Sequence, residues 1–144
     1  MEIKIFTGRG DGFEDAKKVR TAVFIEEQGY SADMEFDDED AAATHAVLYL
    51  DGQPAATGRM LDLGGGVFKP GRIAVLKERR GTHLGEQIVT ALMDAGMKKG
   101  AKEFHVSAQT QARGFYEKLG YTCVDENNVY PDGHIPHIDM VKRV

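Results

Sequence analysis

The sequence predicts an α/β protein in which a mixed, mostly antiparallel sheet is flanked by helices, and three observations lead there. Segments of alternating polarity and of helical spacing follow one another in the order β-α-β-β-β-α-β-α-β-β. Asp51-Gly52 lies between two apolar runs, where it favours the primed turn that closes an antiparallel hairpin. Between Arg72 and Val89 an apolar strand passes through a basic, glycine-containing turn into an amphipathic helix.

Taken in order, Glu2 to Phe6 alternates polar and apolar, predicting a first strand with Ile3 and Ile5 inward. Asp11, with Glu14 three residues on, predicts a capped helix from about Phe13 to Glu27. Ala16, Val19, Val23 and Phe24 form its buried face, and Arg20, Glu26 and Glu27 its polar one. Periodicity is lost from Gly29 to Ala43, where carboxylates accumulate in an acidic loop that is either solvated or walls a site for a cationic amine. It is no calcium loop, because Asp38 and Thr44 stand where an EF-hand needs glycine and glutamate. His45 to Leu50 and Gln53 to Leu63 make the hairpin, and Gly64-Gly65-Gly66 allows the reversal into a strand from Val67 to Lys77, bulged or kinked near Pro70-Gly71. Leu84, Ile88, Val89, Leu92, Met93 and Met97 predict a helix that stops at Gly100. A strand over 103–108, a short helix over 111–119 and strands over 121–125 and 135–144 complete the chain.

Composition narrows the function. With 144 residues, 42% hydrophobic and 28% charged, the chain predicts one soluble domain over residues 1–144. A net charge of −5 argues against nucleic acid as a partner. A single cysteine, Cys123, and no membrane-spanning run predict a cytoplasmic protein with no membrane partner. His105, His134 and His137 do not make a credible metal site, since Pro136 separates the last two and nothing fixes the first beside them.

The basic turn is where an anion should settle. The first turn of a helix leaves its N–H groups unpartnered and carries about half a positive charge, to which Arg79 and Arg80 add full charges. Arg80-Gly81-Thr82-His83-Leu84-Gly85 resembles the pyrophosphate loop of the Gcn5-related N-acetyltransferases, with His83 where that family has glycine; at a negative φ an imidazole is accommodated there. Gln109-Thr-Gln-Ala112-Arg-Gly-Phe115-Tyr116, closed by Gly120-Tyr121, resembles the second motif of the same family, with Gln109 for the usual asparagine. The runs Arg20 to Gln28 and Gly133 to Met140 are similar to the ElaA or YjcF-like branch.

The resemblance implies the acyl-CoA N-acyltransferase fold and an acetyl-CoA-dependent N-acetyltransferase (EC 2.3.1.-) acting on a primary amine of a small molecule or peptide in a ternary complex, with no metal. It implies that backbone groups of Ile73, Ala74 and Val75 hold the pantetheine arm, that Arg80 to Gly85 hold the pyrophosphate, and that Gln109 and Phe115 flank the cofactor. Tyr116 is the implied acid for the leaving thiolate; phenol and thiol have reference pKa values of about 10 and 8.5. An alkyl ammonium, near 10.4, must lose a proton before it attacks, and Glu27, Glu35, His45 and His137 are the candidates to take it. A non-catalytic acyl-CoA sensor and an acyl-homoserine-lactone-synthase-like enzyme are the alternatives. Exposed strands in this fold pair between subunits, so a homodimer is also expected.

Overall fold

The computed structural model describes residues 1–144. Its strands are β1 (Glu2–Thr7), β2 (Thr44–Leu50), β3 (Gln53–Gly64), β4 (Val67–Val75), β5 (Glu103–Gln109), β6 (Thr122–Cys123), β7 (Val129–Asp132) and β8 (Ile135–Arg143). They form one sheet in the order β1-β2-β3-β4-β5-β8-β6, with β7 also paired to β8. Only β4 and β5 run parallel. The α-helices are α1 (Phe13–Arg20), α2 (Ala32–Glu35), α3 (Leu84–Lys98) and α4 (Arg113–Lys118).

Strand alternation divides the core between the two faces of the sheet. On β2, Ala46 and Leu48 join the main cluster with Ile88, Val89 and Leu92 of α3, while Val47 and Tyr49 pack with Ala16 of α1. Ala74 of β4 meets Val19, Val23 and Phe24 on the α1 side. Close approach of α3 to the sheet requires Gly58, where a Cβ would stand 2.7 Å from both Ile73 and Ile88 side chains.

The structure changes several expectations. Asp11 does not cap α1; Gly12 occupies that position at φ 87, and no side chain caps the end. The helical segment does reach Glu27, but from Thr21 it winds as a π-helix, with Gln28 N–H bonded five residues back to Val23. Arg20 is not on a polar face: it is 1% exposed, held by carboxylates 15 and 20 residues away. The expected strand over 121–125 shrinks to Thr122–Cys123, and β7 forms where no strand was expected. The bulge in β4 falls at Arg72-Ile73, just after Pro70-Gly71, and Arg72 takes a φ of 52.

One topological feature positions the site. β5 pairs with β4 only through Val67–Glu103 and Phe68–Phe104, and beyond those residues the two strands part. The cleft so formed lies between the bulged end of β4 and the carboxyl end of β5.

Candidate active site in the cleft between β4 and β5

The cleft holds a cavity of about 340 Å³ whose lining includes Phe24, Gln28, Arg72, Ile73, Ser107, Tyr116 and His137. At one end, Leu76 donates its N–H to Ala55 of β3 at 3.0 Å, so by alternation Val75 turns its own N–H away from β3 and into the gap. At the same end, α3 begins without a side-chain cap. Its first backbone bond is Gln87 to His83 at 3.2 Å, which leaves the N–H groups of Leu84, Gly85 and Glu86 without acceptors. Gly85 admits the ring of Phe115, which would lie 3.4 Å from any Cβ there.

His83 departs from expectation in its backbone. Its φ is 64, not negative: the histidine keeps the left-handed conformation that glycine normally supplies. Its imidazole is 82% exposed and lies 3.5 Å from Glu86, directed to solvent rather than across the turn. Gly81, at φ 84, and Thr82, whose hydroxyl bonds Arg79 O, complete the turn.

Arg80 is engaged on two sides. Its Nε donates to Val75 O at 3.0 Å, and its terminal nitrogens donate to both carboxylate oxygens of Glu27 at 2.6 and 2.9 Å. The Arg80 hydrogen bonds hold the Glu27 carboxyl below its ordinary pKa, so Glu27 is an ion-pair partner and a poor base. One residue along, Gln28 exchanges amide hydrogen bonds with Gln109 across the mouth of the cleft, at 2.7 and 3.3 Å. Arg80 and Gln109, two of the side chains that the resemblance implies for the cofactor, are thus tied to adjacent residues, Glu27 and Gln28, where the π-helical segment ends.

Tyr116 is 7% exposed, its ring packed edge-on against Phe115 and Tyr121 with centroids 5.0 and 5.5 Å away. Its hydroxyl makes no hydrogen bond within the protein, yet no fully buried polar side-chain atom lacks a partner. The hydroxyl therefore opens onto the cavity that Tyr116 lines. Burial pushes the phenol well above its ordinary pKa.

The four base candidates separate. His45 is 1% exposed, stacked on Phe6 and bound to Asp40 O at 3.0 Å; it is not among the cavity-lining residues, and burial lowers its pKa. Glu35 does line the cavity but is 3% exposed and bound to Arg20 at 2.7 Å and Arg72 at 3.3 Å. Burial raises its pKa against the pull of both arginines. His137 lines the cavity with its Nδ1 2.8 Å from Ile135 O. A carbonyl can only accept, so Nδ1 carries a proton, and in the neutral ring the lone pair is then on Nε2.

The acidic segment divides: Glu35, Asp37 and Asp40 are tied to arginines, whereas Asp33, Asp38 and Glu39 are exposed, and Glu39 lines the cavity. Arg20 reaches Asp40 at 2.8 Å, and Arg59 reaches Asp40 at 2.9 Å and Asp37 at 2.6 Å. Arg72 adds a contact to Asp37 at 3.3 Å. Arg59 and Arg72 thus serve as counterions to these carboxylates. Asp132 and Tyr130, which stand beside His137, are not legible as site residues in the sequence, because both lie on β7, a strand of four residues.

A family model, the acetyltransferase (GNAT) domain, matches residues 12–144. The chain belongs to the GNAT family. This GNAT chain is 40% identical over 147 residues to the uncharacterized protein YyaT of Bacillus subtilis, covering 100% of this chain and 97% of that one. It is 39% identical over 129 residues to the uncharacterized N-acetyltransferase YjcF of Bacillus subtilis, covering 90% and 91%. A crystal structure of an acyl-CoA N-acyltransferase from Pseudomonas aeruginosa superposes with a TM-score of 0.82 at 26% identity, covering 98% of each chain. The fold is that of GNAT acyl-CoA N-acyltransferases, YjcF-like in sequence, and the chain is an acyltransferase of that family.

Proposed function

We propose that this chain moves an acetyl group from acetyl-CoA to a primary amine of a small molecule or peptide, by direct attack while both are bound. One observation carries the reading: the uncapped start of α3 packs beside Val75, whose N–H turns away from β3 into the gap between β4 and β5, and the unpartnered hydroxyl of Tyr116 opens onto the cavity in that gap. Acetyl-CoA supplies an activated thioester there.

The residues present suit that ligand. Leu84, Gly85 and Glu86 offer three backbone donors at the positive end of a 15-residue helix, with Arg79 and Arg80 beside them for a pyrophosphate. Ile73, Ala74 and Val75 supply a strand edge without a partner from β5, along which an amide-bearing arm can pair. Val75 N–H is the donor to a developing oxyanion, a contribution of about 3 kcal/mol in sites of this type.

Tyr116 gives its proton toward the departing sulfur. Its raised pKa does not remove it from this role, because the same burial raises the pKa of a thiolate placed beside it. The difference between phenol and thiol, about 1.5 units or roughly 2 kcal/mol, is what the step must cover. His137, through Nε2, takes the proton of the attacking ammonium directly or through water. Asp132, with Oδ2 3.9 Å from that nitrogen, stabilises the imidazolium.

Calorimetric titration with acetyl-CoA tests the reading. Saturable binding by the wild type, weakened at least tenfold in Arg80→Ala, is the expected result. No binding at millimolar acetyl-CoA overturns it.

A further inference from the structure

Three side chains on the far wall of the cleft form a chain of hydrogen bonds with a fixed direction. Ser107 of β5 and Asp139 of β8 are register partners and so stand on one face of the sheet. The hydroxyl of Tyr130, from β7, bonds both Ser107 Oγ and Asp139 Oδ1. An ionised carboxylate only accepts, so the single hydrogen of Tyr130 goes to Asp139. Ser107 must then give its own hydrogen to Tyr130. Burial and the bond to Asp139 push the Tyr130 phenol up to about 12, which keeps that hydrogen in place at neutral pH.

The consequence lies on the cavity side. Ser107 lines the cavity, but its hydrogen is committed outward, so it presents only lone pairs to whatever enters. In the register set by Val67–Glu103, Ser107 stands level with Gly71, next to the β4 bulge. His137 shares its face, two positions along β8 from Asp139 and opposite Gln109. Ser107 and His137 both line the cavity, so the acceptor oxygen of Ser107 and the imidazole of His137 border the same space.

We propose that Ser107 is a specificity-determining residue that docks one N–H of the acceptor's ammonium group, and that Tyr130 and Asp139 are positioning residues that act through it. The proposal rests on the reading of the cleft as the acceptor site. No bond to the nitrogen is made or broken at Ser107; it holds one N–H while His137 takes a proton from another. A site built this way selects ligands that donate and rejects those that only accept, because an acceptor would meet lone pairs and strand them.

The test is an NMR titration, read at the Ser107 and Ala108 amides, with n-butylammonium chloride and with sodium butyrate as the accepting counterpart. It runs on wild type, Ser107→Ala, Ser107→Thr, Tyr130→Phe and the double variant Ser107→Ala with Tyr130→Phe. Butylammonium should shift both amides in a saturable way, and butyrate should not. Ser107→Ala should weaken butylammonium about tenfold or more, Ser107→Thr should restore most of it, and Tyr130→Phe should weaken it several-fold. The double variant should match Ser107→Ala, because Tyr130 acts only through the serine. Equal binding of butyrate, absence of butylammonium binding, or losses that simply add in the double variant would overturn the proposal. Acetyl-CoA titration of the same proteins separates the two readings: intact donor binding with additive losses removes only the role of Ser107, whereas absent donor binding in the wild type removes the acetyl-transfer reading.

Discussion

Glu27 and Arg80 grip one another through two hydrogen bonds, 2.6 and 2.9 Å long, at the entrance to the cleft. A phosphate that takes the Arg80 guanidinium must displace this carboxylate.

Glu27→Gln should therefore tighten acetyl-CoA binding. The pair is partly exposed, 44% at the arginine and 31% at the glutamate, so its strength is that of a surface pair, about 0.5 kcal/mol. A two- to threefold lower Kd at low salt, fading as salt rises, is the expected calorimetric result. An unchanged or weaker Kd would mean that Glu27 positions Arg80 for the ligand rather than competing with it.

Tyr116→Phe removes the one cleft hydroxyl that no protein group satisfies. Turnover should fall by about 10²–10⁴, the range for a general acid, while the Kd for CoA stays within about twofold. Steady-state kinetics alongside calorimetry separates these effects. Unchanged turnover would make Tyr116 a packing residue, held between Phe115 and Tyr121.

Much of the fold was legible because it is written in local patterns. The α3 stripe, the Asp-Gly hairpin and the basic turn each lie within one stretch of chain and appear where expected. What escaped depended on partners distant in sequence. Arg20 looks like a solvent-facing helical arginine until Glu35 and Asp40 fold over it, and the change to π-helical winding after Arg20 leaves no mark in residue spacing. β7 is a four-residue strand whose only partner is β8, too short to show a period of its own. Of the four base candidates, the two glutamates lost their standing to arginines 53 and 15 residues away, a pairing that residue type alone does not reveal.

Arg20→Met should destabilise the protein severely. It leaves Asp40 with one arginine and Glu35 with a single, partly exposed one, both carboxylates almost fully buried. A loss of about 3–5 kcal/mol in urea denaturation is expected. A loss under 1 kcal/mol would show that Arg59 and Arg72 suffice.

Acid should weaken the same network. Hydrogen bonds from Arg59 lower the Asp37 pKa from 3.8 to about 2. A depressed carboxylate stabilises the fold above its unfolded pKa, and that stability is lost as pH falls through the folded value. The loss therefore falls between about pH 4 and pH 2, and after allowance for the 28% exposure of the side chain it amounts to about 1–2 kcal/mol. Asp37→Asn should flatten the stability curve over that window; an unchanged slope would contradict the assignment.

His83→Gly should leave acetyl-CoA binding intact and stability unchanged or up to about 1 kcal/mol higher. Glycine removes the strain of φ 64 but adds freedom to the unfolded chain. His83→Val, a β-branched residue in that conformation, should cost more than 1 kcal/mol and weaken the anion site. Thermal melts with and without CoA distinguish these outcomes.

Acceptor-dependent release of CoA thiol from acetyl-CoA, followed across a panel of small primary amines and amino-terminal peptides, tests the central claim most directly. Saturation in both substrates, with loss of at least a hundredfold in Tyr116→Phe, is the predicted result. Saturable binding of acetyl-CoA with no amine-dependent thiol release would contradict it, and would make the cleft a site that holds an acyl donor without using it.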